Sequence, residues 1–210
     1  MSNVELSDLG AGFSDMSLGS QSVFRSALEA LSYPGRPVQL AVTFEAPKAA
    51  HASSSGLLLA LLEPGSLLWL SPSLVNTDAA AWITFHTGCK ITPAQHQADF
   101  AWIKNWDELP LLANFSLGTD EYPDHSTTCV IDIATQDTSA TRAPLLTLTG
   151  PGIAQSATIE QLFATSAQLK NFVDQWHQNH TSFPRGVDVF FATHTGLIGL
   201  PRTTHIQLSV

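Results

Sequence analysis

Short strand-like segments interleaved with helical ones constrain this chain more than any other feature of it. Val38, Leu40, Val42 and Phe44 alternate with Gln39, Thr43 and Glu45, the period of two that marks a half-buried strand. Residues 67–70, 98–103, 128–133, 145–149, 187–192 and 205–210 read as further strands. Several of these are apolar on both faces and therefore need cover on both sides of a sheet. Between them lie helical patterns. Ser20 or Ser22 can cap a helix with Phe24, Ala27, Leu28 and Leu31 on one stripe, stopped by Pro34-Gly35. A second helix around 78–85 ends at Gly88, and a short one covers 106–114 with Asp107 and Glu108 in its first turn. A clear amphipathic helix starts near Ser166, with Leu169, Phe172, Val173, Trp176 and His180 along one face. Residues 47–55 read as a small-residue loop, and 57–62 as a buried helix or strand that periodicity alone does not resolve. The expected architecture is a single α/β domain over residues 19–210, a mixed sheet with flanking helices, preceded by a flexible N-terminal arm at 1–18.

Composition supports a large core and narrows the partners. Hydrophobic residues make up 44 % of the 210 and charged ones 13 %, so neither disorder nor a disulfide or metal staple is expected. The formal charge of −9 argues against nucleic acid, which needs clustered Lys and Arg. The longest apolar run, 57–62, is far too short to span a bilayer. No basic segment leading into an apolar stretch opens the chain, so no secretory signal is expected. Cys89 and Cys129 lie outside any paired-spacing motif, which fits a reducing, cytoplasmic compartment.

Familiar catalytic motifs fail on inspection. Leu148-Thr149-Gly150-Pro151-Gly152-Ile153 follows a strand, yet it lacks both the Gly-Lys-Ser/Thr of a phosphate-binding loop and the third glycine of a dinucleotide fingerprint. His177 and His180 stand one helical turn apart with no acid to complete a metal site, and the other histidines are scattered, so no metal is expected. Cys129 sits in an apolar strand and no Gly-x-Ser-x-Gly elbow occurs.

The polar candidates are turn residues. Three of the five arginines occupy tight turns, namely Arg36 in Pro34-Gly35-Arg36-Pro37, Arg185 in Phe183-Pro184-Arg185-Gly186, and Arg202 in Pro201-Arg202-Thr203-Thr204. A restrained backbone lowers the entropy cost of holding a carboxylate or phosphate on the guanidinium fork. Glu121 belongs to the densest polar stretch, 118–128, which reads either as acid–base machinery or as a solvated loop. Asp188, Arg202, Thr203 and Thr204 lie beside strand ends, where open α/β sheets place ligands. Asp188 can instead pair with Arg202 inside the fold if their strands are neighbours.

Five ordered segments together carry a resemblance. They are Val23-Phe24-Arg25 through Leu31-Ser32-Tyr33-Pro34-Gly35, Phe85-His86-Thr87-Gly88, Leu148 to Ile153, Phe183 to Asp188, and Leu200-Pro201-Arg202-Thr203-Thr204-His205. In order and spacing this set resembles the PhnH subunit family of the bacterial carbon–phosphorus lyase system, over nearly the whole chain outside the arm. The resemblance implies a homodimer whose fold is similar to the large domain of pyridoxal-phosphate-dependent transferases, without that cofactor. It further implies an accessory role in a multi-subunit assembly that makes alpha-D-ribose 1-methylphosphonate 5-triphosphate from a nucleoside triphosphate and methylphosphonate. No catalytic residue is assigned by it. The rival readings are a free-standing small-anion enzyme built on Asp188 and Arg202, and a pyridoxal-phosphate enzyme.

Overall fold

The computed structural model describes residues 9–133, 145–160, 162–163 and 165–209. Seven strands form the main sheet in the order β1-β9-β8-β5-β4-β2-β3. These are β1 (Pro37–Gln39), β2 (Leu67–Leu70), β3 (Lys90–Ile91), β4 (Phe100–Ile103), β5 (Thr128–Asp132), β8 (Asp188–Ala192) and β9 (Gly196–Leu200). The run from β3 through β8 is parallel, while β9 is antiparallel to both β8 and β1. A smaller antiparallel sheet follows the order β10-β6-β7, from β6 (Leu145–Thr149), β7 (Ala157–Ile159) and β10 (His205–Ser209). The expected mixed sheet with flanking helices is what the chain forms.

The period-two alternation sorts the main sheet's side chains into two cores. Leu68, Leu70, Trp102, Val130, Phe190 and Leu197 point toward α1 (Met16–Ser32), α2 (Ala52–Leu61), the short α3 (Pro72–Val75) and α4 (Asp78–Thr87). Their neighbours Trp69, Ile103, Ile131, Val189, Phe191 and Leu200 point to the other face, where α5 (Ser166–Thr181) and the small sheet close over them. All of these side chains are buried. The tryptophans are core rather than surface groups: Trp69, Trp82, Trp102 and Trp176 are buried, and Trp106 stacks on Phe163 at 4.2 Å.

Several element boundaries depart from expectation for identifiable reasons. α1 starts at Met16, because Asp15 rather than a serine supplies the cap, accepting from the Leu18 N–H. Residues 9–15 of the expected arm are irregular but packed: Phe13 is buried edge-on to Phe44, and the Gly10 carbonyl accepts from Trp82 Nε1. The expected loop 47–55 runs into a helix at Ala52, where Ser53, Ser54 and Ser55 turn their hydroxyls to backbone carbonyls. Such back-bonding lets three serines enter an apolar interior without unmade hydrogen bonds. The apolar segment 57–62 is therefore helical up to Leu61. Pro110 splits the expected helix at 106–114 into two short 3₁₀ turns, Trp106–Glu108 and Leu112–Asn114. Past Gln39 the alternation of Val42 and Phe44 persists as burial without ladder pairing. Among the described residues no helix is long and apolar enough to cross a membrane.

Candidate functional site

Two polar centres lie at opposite ends of the parallel strands. The first, at their amino ends, gathers most of the residues singled out from sequence. Asp188 opens β8, and Arg202 follows β9 in the turn to β10. The Arg202 backbone N–H donates to Asp188 Oδ1 at 2.7 Å, its Nε to the same oxygen at 3.2 Å, and its Nη2 to Oδ2 at 2.5 Å. The remaining fork reaches the polar loop: Nη1 donates to the Pro123 carbonyl at 2.5 Å and Nη2 to Ser126 Oγ at 2.6 Å. With side-chain exposures of 13 % and 21 %, the pair is shielded by the fold. Arg202 thus spends its fork on holding Asp188 and the loop, which leaves little of it for an added anion.

Thr203 and Thr204 adjoin this pair in the chain. Thr204 is fully buried, with its carbonyl accepting from Trp176 Nε1 at 2.8 Å, and Thr203 lies half-buried beside it. Glu121 is exposed on the loop that Arg202 holds at Pro123 and Ser126, while its neighbour Asp120 meets Arg185 Nε at 3.0 Å. Arg36 lies elsewhere, just before β1, exposed and 3.9 Å from Glu29. The structure therefore unites Asp188, Arg202, Thr203 and Thr204, sets Glu121 on an adjoining loop, and separates Arg36 from all of them.

The second centre, at the carboxyl ends of the strands, was not found from sequence. Asp132 ends β5 and is 2 % exposed. Its Oδ2 accepts the His51 backbone N–H at 3.0 Å and its Oδ1 faces Trp102 Nε1 at 3.5 Å. Burial pushes the Asp132 carboxyl above the ordinary range, against the pull of the Ser54 hydroxyl, the His51 ring and backbone N–H, and Lys104. His51 precedes α2, places Nδ1 3.0 Å from the Ala192 carbonyl, and lies against the His194 ring at 4.2 Å. Lys104 follows β4 and donates from Nζ to the Ala49 carbonyl. Nearby, hydrogen bonds from Ser73, Ser71 and Asn105 outweigh burial and hold Glu108 below the usual carboxylate range. The signal for this centre was present in the sequence: Asp132 is a lone carboxylate directly after the apolar run Cys129–Ile131 and before Ile133, and a carboxylate in such a setting is almost never buried without a reason.

Chemically, the second centre offers a carboxyl whose burial favours its neutral form, beside imidazole and ammonium groups, at the edge where open α/β sheets bind ligands. Among the described residues no group of three or more His, Cys, Asp or Glu side chains is placed to hold a metal ion. Cys129 is fully buried, and burial together with the Asp188 charge drives its thiol strongly upward, so it is a packing residue rather than a nucleophile.

Comparison with known proteins bears on nearly the full length of the fold. The model of a family described as bacterial phosphonate metabolism protein (PhnH) matches residues 11–207. The chain is similar to the alpha-D-ribose 1-methylphosphonate 5-triphosphate synthase subunit PhnH of Rhizobium meliloti, at 33 % identity over 195 residues, covering 93 % of this chain and 94 % of the relative. It is also similar to the HtxG protein of Stutzerimonas stutzeri, provisionally named a C-P lyase subunit, at 29 % identity over 90 % of this chain and 86 % of that protein.

Proposed function

The chain belongs to the PhnH family of bacterial phosphonate metabolism proteins, and on that premise we propose that it works as an accessory subunit of a multi-subunit carbon–phosphorus lyase assembly. In this reading it supports the synthesis of alpha-D-ribose 1-methylphosphonate 5-triphosphate from a nucleoside triphosphate and methylphosphonate, in the cytoplasm, in contact with the other subunits. The observation that carries it is the match to a synthase subunit over 93 % of the chain. The polar centres are compatible with such a role. Arg202 and Asp188 are turned toward each other, so the free-standing small-anion enzyme loses the arginine on which it depended.

The fold likeness to the large domain of pyridoxal-phosphate transferases belongs to the same proposal. It is supported by a seven-stranded mixed sheet in which a single antiparallel strand, β9, interrupts an otherwise parallel set.

The test is genetic and enzymatic together. Deleting the gene is expected to abolish growth on an alkylphosphonate as sole phosphorus source, with growth restored by the intact gene. The purified chain alone is expected to show no turnover of a nucleoside triphosphate with methylphosphonate. Normal growth of the deletion strain, or turnover by the lone chain, would defeat the accessory reading.

A further inference from the structure

Of the three turn arginines, Arg36 has the most exposed side chain and the longest ion-pair distance among the described residues. Arg202 is saturated by Asp188, Pro123 and Ser126, and Arg185 lies 3.0 Å from Asp120. Arg36 has only Glu29 at 3.9 Å and the Tyr33 ring at 5.8 Å, and its side chain is 64 % exposed. It lines an open groove of about 410 Å³ between the Tyr33–Pro37 turn and the segment Gly152–Thr158.

The walls of this groove are fixed by packing. Gly152 has φ +82°, and a Cβ there would come 2.2 Å from the Ser32 carbonyl oxygen, so the turn after β6 is pressed against the end of α1. On the opposite side, the Gly35 N–H donates to the Gly199 carbonyl at 3.2 Å and the Arg36 N–H to the Tyr33 carbonyl at 3.1 Å. A groove held in this way does not have to be ordered on binding, which removes a cost that flexible sites carry.

Two strand margins border the groove. Pro37 begins β1, which pairs with β9 alone among the described residues, and Ala157 and Thr158 belong to β7, which pairs with β6 alone. An edge strand presents unpaired backbone groups that an extended chain can complete. Leading away from the groove, Phe24, Leu28 and Tyr33 leave large apolar surfaces exposed on and just after α1.

We infer that this groove is the docking site for an extended segment of a partner subunit bearing a carboxylate, a side chain or a chain end, seated on Arg36. The inference rests on the accessory-subunit reading for the existence of such a partner. An open trench with one cation suits a polypeptide better than a small phosphonate, which needs several convergent donors in an enclosed site. The net charge of −9 repels an acidic surface as a whole, so recognition is of one or two carboxylates placed at Arg36 and not of an acidic face.

The probe is the assembly itself, formed by co-expressing this chain with the other lyase subunits of the same organism. Arg36→Glu is expected to weaken co-assembly at least tenfold while leaving the melting temperature of the isolated chain unchanged, and Arg36→Lys to retain most of the affinity. A photo-crosslinking residue at exposed Thr158 is expected to capture an acidic, extended segment of another subunit, identified by mass spectrometry. If wild-type chain assembles but Arg36→Glu assembles equally well, or Thr158 links only to a second copy of this chain, the groove proposal falls and the accessory reading stands. If wild-type chain does not assemble at all, both fall.

Discussion

Arg202 and Asp132 show how two ionisable residues can be placed in opposite energetic situations by one fold. Arg202 is held by charge-assisted bonds from both its backbone and its fork, and the same fork anchors the loop at Pro123 and Ser126. Removing it leaves the Asp188 carboxylate shielded and unpaired and frees the loop. Breaking a buried pair on one side costs about 3–5 kcal/mol; with a partner still 21 % exposed, Arg202→Ala is expected to cost about 3 kcal/mol by denaturant titration. A variant that unfolds like wild type would show that the arginine is held for a ligand and not for the fold. Asp132 behaves in the reverse sense, since burial raises its folded pKa above the ordinary value of 3.8. A raised carboxyl contributes stability below its unfolded pKa and loses it as pH rises through the folded one. Relative to Asp132→Asn, wild-type protein is therefore expected to lose unfolding free energy as pH climbs from 3.8, levelling off once Asp132 is ionised in both states. A difference that grows in favour of wild type over that window would mean that the ionised form is the one the fold prefers.

At the scale of elements, what the sequence made legible was what periodicity and caps encode. The stripe of α5, the Gly88 stop of α4 and the apolar runs of β2, β4, β5, β6, β8 and β10 all lie where pattern puts them, within a residue or two. Strands that pattern missed are short or rich in glycine. β9 reads Gly-Leu-Ile-Gly-Leu, and Gly199 is there because α1 lies so close that a Cβ would stand 2.5 Å from the Ala30 backbone. That requirement belongs to packing between distant segments, and no local propensity reports it. α2 was hidden for a different reason: its serines read as loop, and only tertiary burial supplies the reason for three of them to be helical. The same limit applied to the polar centres. Asp188 and Arg202 were legible as a possible pair because both flank strand ends, whereas the meeting of Asp132 with His51 depends on α2 starting over the end of β5.

For the whole molecule, the open question is what covers its apolar surface. Aromatic residues are enriched in interface cores, but the five tryptophans of this chain do not supply such a surface: four are buried within it and the fifth packs on Phe163. The exposed apolar side chains lie elsewhere. Phe24 and Leu28 stand one turn apart on α1, both about half exposed, on the side of the helix next to its buried Val23 and Ala27. Further apolar side chains are exposed at Phe85, Leu111 and Phe183. Scattered exposed apolar residues need no explanation, but a helix stripe that continues the core outward is the surface a stable contact uses. A self-association through α1 would have to bury roughly 1,200–2,000 Å² in total to persist at working concentrations. In the absence of its partner subunits the chain is expected to form a homodimer, and light scattering at micromolar concentration should return twice the chain mass. The exchange Phe24→Asp with Leu28→Asp, which places two charges on that stripe without touching the core, is expected to return the monomer with little change in melting temperature. A wild-type monomer at that concentration would overturn the dimer. A dimer that survives the double substitution would place the contact on another face of the molecule.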